Sequence, residues 1–178
     1  MLRPHDTAEE VLRWAFSLEA RIVPPAKRDP FRSSPCTDGA LSFLERRAEA
    51  ALIRAKVDRY SRAPQRDLLY AVYTVPVGQT LQQRKSQCCT VVADFLNADL
   101  HKPRWWMVHS VRTWCRCPTV HTREWWATHL GVSTRTLQRW QSVTHDRLDD
   151  LLVAANGGIE PFLMNGKRCP PWWTQQTS

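Results

Sequence analysis

The chain has 178 residues, 43% of them hydrophobic, so it can bury one sizeable core, and one domain is more common than two at this length. Lysine and arginine number 25 against 17 acidic residues, and the formal charge of +8 favours polyanionic partners. No apolar run approaches the ~20 residues that cross a bilayer, and the acidic amino terminus is unlike a secretory signal. We therefore expect a cytoplasmic protein with reduced cysteines and no membrane contact.

Two helices are predicted in the first sixty residues. The first begins at a capping box formed by Thr7 and Glu10, and it ends at Pro24-Pro25. Residues 23–39 are predicted to form a loop because they are rich in proline, serine and basic side chains. A second helix is predicted from residue 38 or 39. Its apolar stripe is predicted to be Leu41, Leu44, Ala48, Ala51, Leu52 and Ala55.

Two further helices are predicted before residue 100. Pro64 fits the first turn of the third helix, and Pro76 ends it. Thr80 is the predicted N-cap of the fourth helix. Cys88 and Cys89 on that helix are expected to pack in the core, because adjacent cysteines in a helix do not easily bridge each other.

A fifth helix is predicted in an arginine- and tryptophan-rich segment. Lys102 and Arg104 lie next to Trp105 and Trp106, and such a combination can stack on nucleic acid or hold phosphates. In the alternative interpretation, which we favour, Trp105, Trp106 and Trp114 belong to the core, the usual place of tryptophan.

Four soft metal ligands follow within thirteen residues: His109, Cys115, Cys117 and His121. A zinc site of two cysteines and two histidines is one interpretation of this set. The Cys-x-Cys spacing is tighter than the common Cys-x2-Cys spacing, so ordinary buried thiols are the favoured alternative. We therefore predict no bound metal and no cofactor.

The stretch from Thr122 to Gln141 has the spacing of a helix-turn-helix. Gly131 tolerates the positive φ of the turn, and Ala127 lets the two helices approach closely. Ser133 is the predicted N-cap of the second helix. The predicted inward residues are Trp126, Leu130, Val132, Leu137 and Trp140. The predicted outward residues of the second helix are Thr134, Arg135, Gln138 and Arg139.

One more helix is predicted behind the helix-turn-helix. Thr144 is its predicted N-cap, and the sequence 156–158 (Asn-Gly-Gly) is its predicted left-handed C-cap. Its apolar stripe is predicted to be Leu148, Leu151, Leu152 and Ala155. The remaining tail has a proline pair and no periodicity, so it is predicted to be extended, with Trp172 and Trp173 packed on the domain or meeting a partner.

No segment alternates as a strand would, and this pattern indicates an all-α fold: a helical body with a C-terminal helix-turn-helix module. The predicted parts are a body over 1–100, the module over 101–156 and the tail over 157–178. A Gly-rich phosphate loop, a His-Glu-x-x-His helix and a serine elbow are all absent from the sequence, so we predict no catalytic residues and no enzyme activity.

The stretch Trp126–Trp140 resembles the helix-turn-helix of bacterial and phage regulators, sigma-factor-like domains and transposase amino-terminal modules, and the phrase LGVSTRTLQRW is typical of them. The order of Glu10–Val23, the Arg-rich second helix, Arg66–Tyr73 and the helix-turn-helix is similar to small basic phage proteins, including Q-like late-gene antiterminators. The zinc-binding cysteine pairs of one Q class are missing, so the sigma-region-like class is the nearer comparison. The resemblance implies a phage protein that acts with RNA polymerase in the cytosol of a bacterial host.

The predicted function is that of a sequence-specific, double-stranded DNA-binding transcription regulator. The helix that starts at Ser133 enters the major groove, where Arg135 and Arg139 reach guanine edges or phosphates and Gln138 reaches an adenine. Side chains before this helix hold the DNA backbone and set the register. These predicted backbone contacts are Lys102, Arg104 and Arg123.

The alternative is a helical protein-interaction module, such as an RNA polymerase-binding or host-inhibiting phage protein, in which the helix-turn-helix is only a packing motif. This alternative predicts tight binding to a protein, together with DNA affinity that depends on salt and ignores sequence. A single helix-turn-helix often works in a dimer, but no heptad seam is present, and the sequence leaves the oligomeric state open.

Overall fold

The computed structural model describes residues 7–20 and 43–164, and within these ranges the chain is all-α, with seven helices and no strand. The predicted all-α class is therefore confirmed. No helix among the described residues is long and apolar enough to span a membrane. The predicted helix end at 24–25, the loop at 23–39 and the tryptophans at 172–173 lie outside these ranges. The helices are α1 (Ala8–Ala20), α2 (Phe43–Tyr60), α3 (Ala63–Tyr73), α4 (Gly78–Leu100), α5 (Arg104–Trp114), α6 (Arg123–Leu130) and α7 (Thr134–Met164).

One large core joins α1 to α5 and the carboxy-terminal half of α7. At its centre the ring of Phe16 meets the ring of Tyr70 edge-on at 5.0 Å. Leu148 and Ile159 bring α7 into the same core, where both are fully buried. The helix that begins in the predicted module therefore ends inside the body, and its direction is fixed by the body's packing.

Among α1, α3 and α4, two predicted helix starts agree with the structure and one does not. The backbone N–H of Glu10 donates to Thr7 Oγ1 at 3.3 Å, which confirms the cap of α1. Pro64 lies in the first turn of α3, as predicted. The prediction for α4 is wrong, because the helix starts at Gly78 and Thr80 lies inside its first turn. Gly78 adopts a φ of 77°, which favours glycine and lets the chain enter the helix earlier.

The predicted apolar stripe of α2 is wrong, because the helix buries a different face. Ala50, Ile53 and Val57 are buried, whereas Leu44 and Leu52 are 74% and 65% exposed. The three predicted alanines, Ala48, Ala51 and Ala55, are also exposed, and Leu41 lies outside the described residues. Apolar residues occur on two faces of α2, so periodicity alone cannot choose between them. The choice is made by α1, which packs on α2 and accepts a 2.8 Å hydrogen bond at Ala15 O from Arg54 Nη1.

The predicted pair of helices after Gly131 is a single helix of 31 residues, about 46 Å long. Thr144 is not an N-cap. It is fully buried, and its hydroxyl donates to the carbonyl of Trp140 at 2.8 Å. Gly157 and Gly158 lie inside the helix rather than capping it, and residues 159–164 are helical rather than extended.

Tertiary contacts explain why α7 continues through two glycines that each cost about 1 kcal/mol in a helix. Ala155 and Ile159 are buried on either side of the glycine pair. Tyr73 Oη donates to Asn156 Oδ1 at 3.2 Å. Near the helix end, Phe162 stacks on the Tyr60 ring at 4.1 Å, and its carbonyl accepts a hydrogen bond from a lysine of α2. This packing favours the helix over the predicted cap.

Candidate nucleic-acid interface

The connection between α6 and α7 is a tight turn with satisfied backbone groups. Gly131 adopts φ 64° and ψ 30°, the left-handed conformation predicted for it. The N–H of Val132 donates to Ala127 O at 3.1 Å, and that of Gly131 donates to Thr128 O at 3.3 Å. These two bonds form a Schellman motif, which ends α6 and turns the chain sharply.

Side-chain caps fix the beginning of both helices. Thr122 Oγ1 accepts from the backbone N–H of Trp125 at 3.3 Å and so caps α6. Ser133 Oγ accepts from the N–H of Thr136 at 3.1 Å, which confirms the predicted cap of α7. The orientation of the first turns of α7 is therefore set by local sequence as well as by packing.

A second, smaller core holds α6 and α7 against α5. Trp126 and Leu137 are buried in it, as predicted, and Ala127, Leu130, Val132 and Trp140 are partly buried around them. Its third buried member is Trp106 of α5, which is 0% exposed and meets Trp126 edge-on at 6.2 Å. The helix-turn-helix spacing does not include Trp106, so this link between α5 and the α6–α7 pair was not predicted.

The predicted base-reading residues are all exposed. Thr134, Arg135, Gln138 and Arg139 project from the first two turns of α7, and Ser133 precedes them. The side chains of Arg135 and Arg139 form no hydrogen bond or ion pair with any other described residue. The first acidic residue of α7 is Asp146, about 16 Å along the helix from Arg135. The first three turns of α7 therefore carry two arginines and no acidic residue.

The three residues predicted to bind the DNA backbone have different environments. Lys102 Nζ lies 5.3 Å from the centre of the Trp140 ring, which places it beside the start of α7. Arg123 Nη2 donates to Gln141 Oε1 at 3.1 Å. Arg104 is instead committed to a bidentate ion pair with Asp94, at 2.7 and 2.9 Å. Hydrogen bonding to Arg104 lowers the pKa of Asp94. Because Arg104 is already paired, it is less available than Lys102 or Arg123 to bind a phosphate.

The four residues with soft ligand side chains, His109, Cys115, Cys117 and His121, do not form one site. His109 and His121 line a pocket between α5 and α6, whereas Cys117 Sγ lies 3.7 Å from Cys89 Sγ. Among the described residues no three His, Cys, Asp or Glu side chains are grouped to hold a metal ion. Hydrogen bonding to Cys115, together with burial, raises the pKa of Cys89 to about 12. These cysteines are packed as thiols, in keeping with the predicted role of Cys88 and Cys89.

The pocket between α5 and α6 is lined by an aromatic cluster that was not predicted. The Trp125 ring is stacked between two imidazoles, with His121 at 3.7 Å and His129 at 4.7 Å. His109 stacks on Trp106 at 5.1 Å. His121, Trp125 and His129 are spaced by four residues along the chain, which places them on one side of α6 and its N-terminal extension. That spacing is the signal in the sequence that would have identified them together.

The environment of His109 predicts a pH-dependent stability. Burial first, and then the charges of His121, Arg112 and Arg123, lower the pKa of His109 from its usual 6.5. Between the two pKa values the unfolded chain binds more protons, so the free energy of unfolding falls as the pH drops below about 6.5. Urea unfolding from about pH 7.5 to about pH 5.5 should therefore show a shallower loss for His109→Gln than for the wild type. Equal slopes would contradict this assignment.

Comparison with known proteins gives no relative: no protein family, no curated protein and no solved structure matches the chain. The functional assignment therefore rests on the geometry of the residues described above.

Proposed function

We propose that α6 and α7 form a helix-turn-helix and that the chain is a sequence-specific, double-stranded DNA-binding transcription regulator. The observation that carries the proposal is the exposed end of α7. There, Thr134, Arg135, Gln138 and Arg139 face solvent on a helix whose direction is fixed by the Gly131 turn and the small tryptophan core. A rigid helix end with free donors and acceptors is what reading a major groove requires.

In the proposed complex the first two turns of α7 enter the major groove. Arg135 and Arg139 donate to guanine O6 and N7 or to phosphates, and Gln138 pairs with an adenine edge. Leu148, the first residue of α7 in the large hydrophobic core, lies about 20 Å along the axis from Arg135. The body therefore lies at the far end of the helix and leaves its amino-terminal turns free to insert.

In this complex, side chains that flank the inserted helix contact the DNA backbone. Arg123, at the start of α6, and Lys102, over Trp140, both lie next to α7 and carry positive charge. Phosphate contacts of this kind set the register and make the affinity depend on salt. Arg104 would first have to exchange Asp94 for a phosphate.

The proposed class of regulator is a phage-encoded protein of the Q-like antitermination type, acting with RNA polymerase in the host cytosol. It is supported by the likeness of LGVSTRTLQRW to phage regulators and by the basic composition. A contact with polymerase, which the alternative interaction-module function also requires, has its best support in α4. There Val91 and Phe95 are 46% and 45% exposed, and Phe95 lies at a groove of about 270 Å³ against α7.

Replacing both Arg135 and Arg139 by alanine should abolish specific duplex binding without loss of helix. Each bidentate contact to guanine contributes about 1–3 kcal/mol, so two contacts predict a loss of at least roughly 30-fold in affinity. The measurement is a mobility-shift titration with a duplex enriched from a random pool, alongside circular dichroism. Arg147→Ala is the matched control, because Arg147 is exposed on the same helix but lies far from the inserted end. Unchanged affinity of the double variant would refute the DNA-reading role of α7.

The interaction-module alternative makes the opposite prediction. Purified RNA polymerase should be retained by the immobilised protein after nuclease treatment, and the Val91→Ser, Phe95→Ser double variant should lose it. If the wild type also shows no preferred duplex, the alternative function is the correct one. A preferred duplex together with no retained polymerase favours the DNA-binding regulator alone.

A further inference from the structure

The pocket between α5 and α6 has a volume of about 350 Å³ and lies outside the DNA-reading surface proposed above. Its walls come from α5, from α6 and from the residues that connect them. Three tryptophans line it, and they differ in exposure: Trp126 is 8% exposed, Trp125 is 41% exposed and Trp105 is 66% exposed. The pocket is therefore open to solvent and is unusually rich in indole surface.

Trp105 leaves much of its indole ring exposed to solvent. Its neighbour Trp106 is fully buried in the small core, whereas Trp105 is 66% exposed and the guanidinium of Arg104 lies 5.5 Å from the centre of its ring. An exposed indole gives the fold little stability, since most of its surface remains in water. Such a ring is suited to stack on a planar aromatic ligand.

The charge of the pocket restricts the ligand further. Three histidines and Arg112 line it, and none of its lining residues is acidic. Arg112 Nη2 donates to the carbonyl of Pro118 at 2.8 Å, which holds the guanidinium at the wall. A ligand that is both planar and negatively charged fits this combination of indoles, hydrogen-bonding imidazoles and one guanidinium.

We propose that this pocket binds an unpaired base of single-stranded nucleic acid, with the base stacked on Trp105 and its phosphate near Arg112 and the histidines. A volume of 350 Å³ is at the small end of ligand pockets and suits one nucleotide rather than a stretch of duplex. Bases of a duplex are stacked on each other and cannot enter a site lined in this way. The inference does not depend on the reading of duplex DNA by α7.

The test compares fluorescently labelled dT12, rU12 and an abasic 12-mer that has the same phosphates and no bases, by anisotropy at fixed salt. The wild type should bind either base-bearing strand more tightly than the abasic strand. Trp105→Ala should weaken binding of the base-bearing strands by roughly 5- to 150-fold and leave the abasic strand unchanged. Preference for rU12 or for dT12 identifies the natural strand as RNA or DNA, and either result supports the pocket.

Further variants separate binding in this pocket from binding elsewhere on the protein surface. Leu52→Ala is the control, because Leu52 is a 65% exposed apolar residue on α2, outside the pocket, and this variant should bind as the wild type does. Val120→Glu adds an acid at a lining position that is 86% exposed, so it should weaken binding of the base-bearing strands without unfolding the chain. The Arg135→Ala, Arg139→Ala double variant should still bind the base-bearing strands more tightly than the abasic strand. Equal affinity for abasic and base-bearing strands, or full affinity in Trp105→Ala, would overturn the proposal.

Discussion

Trp106→Ala is expected to lower the free energy of unfolding by about 3–5 kcal/mol, the usual cost of truncating a fully buried tryptophan. Trp106 is 0% exposed and is the member of the small core that α5 contributes. Its ring meets Trp126 edge-on and stacks on His109, so its loss removes the packing between α5 and the α6–α7 pair. Duplex binding should fall as well, because the inserted end of α7 would lose its orientation.

Two matched variants isolate the cause of this effect. Trp105→Ala, at the adjacent exposed position, should cost less than about 1 kcal/mol, because its ring is already in water. Trp106→Phe should cost less than Trp106→Ala, since the indole Nε1 has no hydrogen-bond partner among the described residues. Urea unfolding followed by far-UV circular dichroism measures all three. Similar losses for Trp105→Ala and Trp106→Ala would contradict the small core.

Ser142→Pro is expected to cost about 3 kcal/mol or more, because it places proline inside α7. Ser142 is exposed, so the change tests the backbone alone: it removes one helical hydrogen bond and crowds the carbonyl of Gln138. In two separate helices that met near residues 142–143, as the sequence suggests, the same proline would be tolerated. The substitution therefore distinguishes one helix from two.

The control for this prediction is Ser142→Ala, which keeps the hydrogen bond and improves helix propensity. It should leave the free energy of unfolding unchanged or raise it by up to about 0.5 kcal/mol. Stability is measured by urea unfolding, and helix content by circular dichroism. A Ser142→Pro protein as stable as Ser142→Ala would show that α7 is interrupted.

Features fixed by neighbours in the chain were predictable from the sequence. The cap at Thr7, the turn at Gly131 and the cap at Ser133 each depend on a few consecutive residues, and each is formed as predicted. The inward residues of the α6–α7 pair follow from helical periodicity for the same reason. Local signals were therefore enough to place both ends of this turn.

Features decided by distant contacts were not predictable. The choice of buried face on α2 depends on α1, because apolar residues occur on two sides of the helix. The continuation of α7 through Gly157 and Gly158 depends on burial of Ala155 and Ile159 against the body. In both helices tertiary packing overrides what the local sequence favours.

The candidate site also has one part that could be predicted from the sequence and one part that could not. Exposure of Arg135, Gln138 and Arg139 follows from the period of one helix, and the structure shows these side chains in solvent. The pocket requires α5 and α6 to meet, which no spacing within either helix reveals. In the sequence, His109 and His121 resemble half of a metal site. In the structure they line the aromatic pocket, whereas Cys117 lies beside Cys89.

The most direct test of the proposed function is selection of bound duplexes from a random double-stranded library, carried out in parallel with the wild type and with the Arg135→Ala, Arg139→Ala variant. The wild type should enrich one sequence motif over successive rounds, and the variant should lose this enrichment while keeping its helical content. Absence of any enriched motif with the wild type, or the same motif with both proteins, would contradict the proposal that the exposed end of α7 reads DNA sequence.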